Sequence, residues 1–111
     1  MAITFVRVAT YQVSAYGGSS GNTGAEAEIS LGIPDAYAFL RFYPDGVPLP
    51  PNSRETHISG KPMFYASYRS ANLGTIVDLL RWEKPIRFFF RDNNLTAYLT
   101  TAEEPVGEEE S

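Results

Sequence analysis

At 111 residues the chain is bounded to one domain of ordinary size, and with no cysteine it has neither disulfides nor thiolate metal sites. Its formal net charge of −4 is concentrated at one end: without Glu103, Glu104, Glu108, Glu109 and Glu110, the 9 basic residues face 8 acidic ones. No apolar run approaches the roughly 20 residues of a membrane span, and Met-Ala-Ile-Thr-Phe-Val-Arg lacks the basic-then-apolar pattern of a leader, so the expectation is a soluble, cytoplasmic protein with no membrane partner.

Residues 3–16 (ITFVRVATYQVSAY) are β-branched and aromatic with no turn residue, and read as the first strand. Fully extended at about 3.3 Å per residue it would reach roughly 46 Å, longer than a domain of this size is wide, so it must bend, carry a bulge or project as an arm. Its two faces, Ile3, Phe5, Arg7, Ala9, Tyr11 and Val13 against Thr4, Val6, Val8, Thr10, Gln12 and Ser14, differ only weakly. Gly17 to Gly24 (GGSSGNTG) spaces glycines in a way that suits an anion-binding nest. A phosphate loop would continue into Gly-Lys-Ser/Thr and a helix, whereas Ala25-Glu26-Ala27-Glu28 opens a strand, which favours a plain hairpin loop.

Ala25 to Leu31 alternates, with Ala25, Ala27, Ile29 and Leu31 inward and Glu26, Glu28 and Ser30 outward. Gly32-Ile33-Pro34-Asp35 supplies a turn. Ala36 to Tyr43 follows as a strand with Ala36, Ala38, Leu40 and Phe42 on one side and Tyr37, Phe39, Arg41 and Tyr43 on the other. From Pro44 to about Gly60 the prolines keep the chain out of a sheet interior, and an irregular connection of this length is usually functional or mobile. His57, the only histidine, lies in it.

Met63 to Thr101 holds the clearest periodicity: a strand at Met63–Tyr68, a helix over Leu73–Lys84, and a hairpin of Ile86–Arg91 and Leu95–Thr101 turning at Asp92-Asn93-Asn94. On a helical projection Leu73, Ile76, Val77, Leu79 and Leu80 share one arc. Ser70 or Asn72 is the expected N-cap and Pro85 the stop, and Trp82 falls well away from the arc. In the hairpin Ile86, Phe88 and Phe90 share a face with Leu95, Ala97 and Leu99, while Arg87, Phe89, Arg91, Thr96, Tyr98 and Thr100 take the other. The expected fold is α+β: an antiparallel or mixed sheet of five to six strands in the order β-β-β-β-α-β-β, with a single helix on one face. Residues 1–102 form the domain, and the Glu-rich 103–111 form a solvated, disordered tail.

If the helix covers one face of that sheet, the other displays Tyr37, Phe39, Arg41, Tyr43, Arg87, Phe89, Arg91 and Tyr98, joined by Glu26, Glu28, Tyr65 and Arg69, with Trp82 at the helix edge. A contiguous aromatic surface of this kind marks an interface or a binding site. The leading expectation is a non-catalytic module that forms a homodimer through this face, Arg stacking on Tyr and pairing with Glu26 or Glu28. The alternative is a small anionic or nucleotide-like ligand held by Arg41, Arg87 and Arg91 near the glycine loop. Nucleic acid is disfavoured by the nearly neutral body and by the lack of a β-α-β-β-α-β order. No cofactor or metal is implied. Glu26 with Glu28, and His57 alone, lack the convergent partners that acid-base or nucleophilic catalysis requires.

Overall fold

The computed structural model describes residues 3–17 and 24–101. Among these residues the fold is α+β with one helix, but the eight strands divide between two sheets rather than forming one sheet of five to six. A small sheet has the order β1-β7-β8, from Ile3–Arg7, Ile86–Arg91 and Thr96–Thr101. A large sheet has the order β2-β3-β4-β6-β5, from Thr10–Ala15, Ala27–Ile33, Ala36–Tyr43, Pro62–Arg69 and Ser53–Thr56.

Two features account for the difference. The long first strand bends between adjacent residues: the Val8 N–H donates to the Ile86 carbonyl at 2.8 Å, and the next N–H, of Ala9, donates to the Gly32 carbonyl, also at 2.8 Å. One continuous β-rich stretch thus starts in the small sheet as β1 and ends in the large sheet as β2. The second feature is β5, which hides in the proline-rich stretch expected to be irregular and pairs antiparallel with β6 from Ser53↔Tyr65 to Thr56↔Pro62. Pro48, Pro50 and Pro51 all precede it, and as a sheet edge it needs a partner on one side only.

The β2-β3-β4 meander is antiparallel, with β3 and β4 joined through Pro34-Asp35, where Asp35 takes φ 55°. Gly32 is required at its place in β3, because a Cβ there would run into the Thr10 hydroxyl across the β2 pairing. β4 and β6 are parallel, from Tyr37↔Met63 to Tyr43↔Arg69. The strands flanking the helix, β6 and β7, belong to different sheets, so the helix is the passage from one sheet to the other.

The helix α1 spans Leu73–Trp82 after a 3-10 turn at Ser70–Asn72. It stops two residues short of the expected end, with Glu83 extended at φ −103° and ψ 141° ahead of Pro85, whose ring disfavours helical geometry in the residue before it. Neither expected N-cap operates: no side-chain capping bond forms, and the Ser70 hydroxyl oxygen is buried without a partner among the described residues. No helix among these residues is long and apolar enough to cross a membrane.

The alternation in each strand places the core. Ile29, Leu40, Phe42 and Phe64 of the large sheet meet Phe88 and Phe90 of the small sheet and Ile76 of α1 in one buried cluster, with Leu73, Val77 and Leu80 packed against it. Phe64 lies 4.8 Å from Phe90 and 5.7 Å from Phe88, centroid to centroid. Burying each such side chain is worth roughly 1.5 to 3 kcal/mol, so the helix and small sheet are held on the same face of the large sheet. In the β7-β8 hairpin Phe88 and Phe90 share the core with Leu99 and Ala97 as expected. Leu95 does not join them, because it stands in the turn at φ 56° and is 38% exposed.

Candidate functional site

Because the core lies between the two sheets, the Arg/aromatic side chains expected on a single surface occupy two surfaces that point away from one another. Arg87, Phe89, Arg91 and Tyr98 stand on the outer face of the small sheet, and Tyr37, Phe39, Arg41 and Tyr43 on that of the large one.

On the small sheet the register sets three rows. The central row is aromatic across all three strands, Phe5↔Phe89↔Tyr98. On one side lies Arg7↔Arg87↔Thr100, and on the other Ile3↔Arg91↔Thr96. Phe89 stacks on Tyr98 at 4.6 Å and meets the edge of Phe5 at 6.2 Å. The Arg87 guanidinium sits 5.6 Å from the Phe5 ring and that of Arg91 5.6 Å from Phe89. Phe5 is 53% exposed, Ile3 52% and Tyr98 43%. None of the residues of β1, β7 and β8 is acidic. Asp92, just past β7, is engaged with Arg54 at 3.9 Å. The Arg91 Nε is buried with no hydrogen-bond partner among the described residues.

The large-sheet face is instead charge-balanced. Arg41 Nε donates to the Glu28 carboxylate at 2.8 Å, and its guanidinium lies 4.5 Å from the Tyr65 ring, which stacks on Phe39 at 5.4 Å. Burial alone would pull the Arg41 pKa down, but the bond and attraction to Glu28, with Tyr65 and Tyr43 nearby, hold it above its ordinary value. Burial and the same Glu28 charge push the Tyr16 hydroxyl up, outweighing Arg41. At one end Arg69 donates to the carbonyls of Pro44 at 2.9 Å and Val47 at 2.7 Å, and Tyr43 beside it is 3% exposed and out of reach of a ligand. At the other end Tyr37 packs on His57 at 4.6 Å. His57 serves its own turn: its Nδ1 accepts the Ser59 N–H at 3.1 Å.

Trp82 belongs to neither face. It is 72% exposed at the end of α1, beside an open groove of about 310 Å³ lined by Thr75, Asp78, Leu79 and Glu83. A second cleft, of about 380 Å³, lies where β1 parts from β2, with Arg7, Tyr11, Glu83 and Lys84 at its walls. Residues 18–23, most of the glycine loop, lie outside the described residues, as does the tail from residue 102. No group of three or more His, Asp or Glu side chains suited to a metal occurs among the described residues.

Ile3, Phe5 and Arg7 were not among the candidate residues. Their signal is in the sequence all the same, since they alternate on one parity just as Arg87, Phe89 and Arg91 do. Only the pairing of β1 with β7 joins the two sets.

Comparison with family models, curated proteins and solved structures gives no match to this chain. The functional reading rests on the two faces.

Proposed function

We propose that this protein is a non-catalytic interaction module whose working surface is the outer face of the small sheet, and that its partner is an acidic polypeptide segment. The observation that carries this reading is the Phe5-Phe89-Tyr98 row lying between Arg7 and Arg87 on one side and Arg91 on the other, with no carboxylate in the three strands. Exposed aromatics supply contact area at low conformational cost. Guanidiniums held against ring faces keep their N–H edges free for carboxylates. Two copies packed through this face would set three guanidiniums against three, so a second copy is a poor occupant and an anionic one a good occupant.

The test is fluorescence anisotropy of a labelled oligoglutamate peptide. Binding that weakens with salt is expected, and R87E/R91E is expected to weaken it at least about tenfold, equivalent to about 1.4 kcal/mol. Equal affinity of the wild type and R87E/R91E would rule the reading out.

A second reading, the homodimer, is favoured by the Arg41–Glu28 pair at 2.8 Å on the other face. With its charges already balanced and Phe39 and Tyr65 only half-buried, that face suits isologous packing against itself. Sedimentation equilibrium at micromolar concentration is expected to give a dimer that Phe39→Glu converts to monomer. Monomer alone in the wild type would exclude it.

A further inference from the structure

β8 closes at Thr101, and the outward row beside that end of the small sheet is Arg7, Arg87 and Thr100. The next residues in the chain are Ala102-Glu103-Glu104-Pro105-Val106-Gly107-Glu108-Glu109-Glu110-Ser111. Three strands that carry three guanidiniums and no carboxylate are thus followed in the sequence, just after the end of β8, by a segment with five glutamates and no cation.

We propose that this acidic segment is itself an occupant of the small-sheet face, seated in cis, and that it competes there with the acidic partner. The proposal rests on the binding reading above and names what regulates that surface. Charge complementarity is its first support. Arg91 is the second: its guanidinium lies 5.6 Å from the Phe89 ring on that face and pairs with no carboxylate among the described residues.

Reach is the third. The Arg87 and Arg91 positions are four residues apart along β7, about 13 Å, while the segment beyond Thr101 reaches roughly 33 Å when extended. To lie over the face the chain must turn back on β8, and Glu104-Pro105-Val106-Gly107 has the residue preferences of a type I turn, Pro at the second position and Gly at the fourth. Glu108, Glu109 and Glu110 then fall on the returning limb. A tether this short gives effective concentrations on the order of millimolar, enough to populate contacts too weak to hold a free peptide.

The absence of cysteine allows a direct test on the 111-residue chain. A nitroxide attached at Ser111→Cys is expected to broaden the amide signals of β1, β7 and β8 well beyond those of the large sheet. Changing all five tail glutamates to glutamine is expected to abolish the effect and to tighten binding of the labelled oligoglutamate several-fold. Broadening that is absent, uniform or centred on the large sheet would overturn the proposal. So would broadening that passes only from a labelled copy to an unlabelled, isotope-enriched one, which assigns the face to the tail of a second copy.

The peptide separates this inference from the reading beneath it. If wild type and glutamine variant bind it equally, the partner site stands and tail competition falls. If neither binds it while the label still broadens the face, the surface is a seat for the tail alone and the partner reading falls.

Discussion

Arg41 and Arg91 stand on outward faces of β-strands, each against an aromatic ring, at 4.5 Å from Tyr65 and 5.6 Å from Phe89. Only Arg41 has its carboxylate, Glu28 at 2.8 Å, while the Arg91 Nε has no partner among the described residues. Residue type and strand parity identified both as outward and aromatic-flanked. They did not identify which was compensated, because that depends on the neighbouring strand: β3 brings Glu28 to Arg41, and β1 brings Ile3 to Arg91. At this scale Tyr68 gives a sharp prediction. Its ring stacks on Phe42 at 5.5 Å and burial raises its pKa. The folded state therefore holds the phenolic proton more tightly than the unfolded state does. That stabilisation is complete below the ordinary tyrosine value near 10 and is lost as pH rises through the raised value. Thermal midpoints followed from neutral pH into the alkaline range should fall more steeply for wild type than for Tyr68→Phe, and parallel curves would contradict the assignment.

Between elements, Asn52 is a small joint of large consequence. Its side-chain oxygen accepts the Ser67 N–H of β6 at 2.8 Å, and its amide donates to the Leu95 carbonyl in the β7-β8 turn at 2.9 Å, so one residue ahead of β5 ties the two sheets together. Asn52→Ala should cost about 1 to 2 kcal/mol for two hydrogen bonds, a drop of several degrees in Tm at roughly 4 to 8 °C per kcal/mol for a domain near this size. An unchanged midpoint would show that the joint is idle. Most elements were legible: the alternation of residues 25–31 and 36–43, the helical arc of Leu73, Ile76, Val77 and Leu80, and the Phe88/Phe90 face of the hairpin all follow from period alone, although Leu79, expected on the same arc, lines the groove beside Trp82 and is not part of the core cluster. The division into two sheets was not. Residues 3–16 announced that they must bend, since the stretch is too long for the domain, but a period-2 pattern has no mark for the residue at which hydrogen bonding passes from Ile86 to Gly32. β5 was hidden for a different reason, because Ser53-Arg54-Glu55-Thr56 is an exposed edge with little apolar signal.

For the whole molecule, the division into sheets changes what the arginines mean. On one sheet, Arg87 and Arg91 would have shared a face with Glu28, and self-association would have met both charges. On two sheets the body's near-neutrality conceals a segregation: a balanced face on the large sheet and an uncompensated cationic, aromatic face on the small one. The acidic residues that make the chain net negative follow directly after the last strand of the cationic face. The most direct test of this account is to titrate the isotope-labelled 111-residue protein with oligoglutamate and follow its amide resonances. The account predicts shifts concentrated at Phe5, Arg7, Arg87, Phe89, Arg91 and Tyr98 that are lost in R87E/R91E. Shifts concentrated instead at Tyr37, Phe39, Arg41 and Tyr65, or none at all, would contradict it.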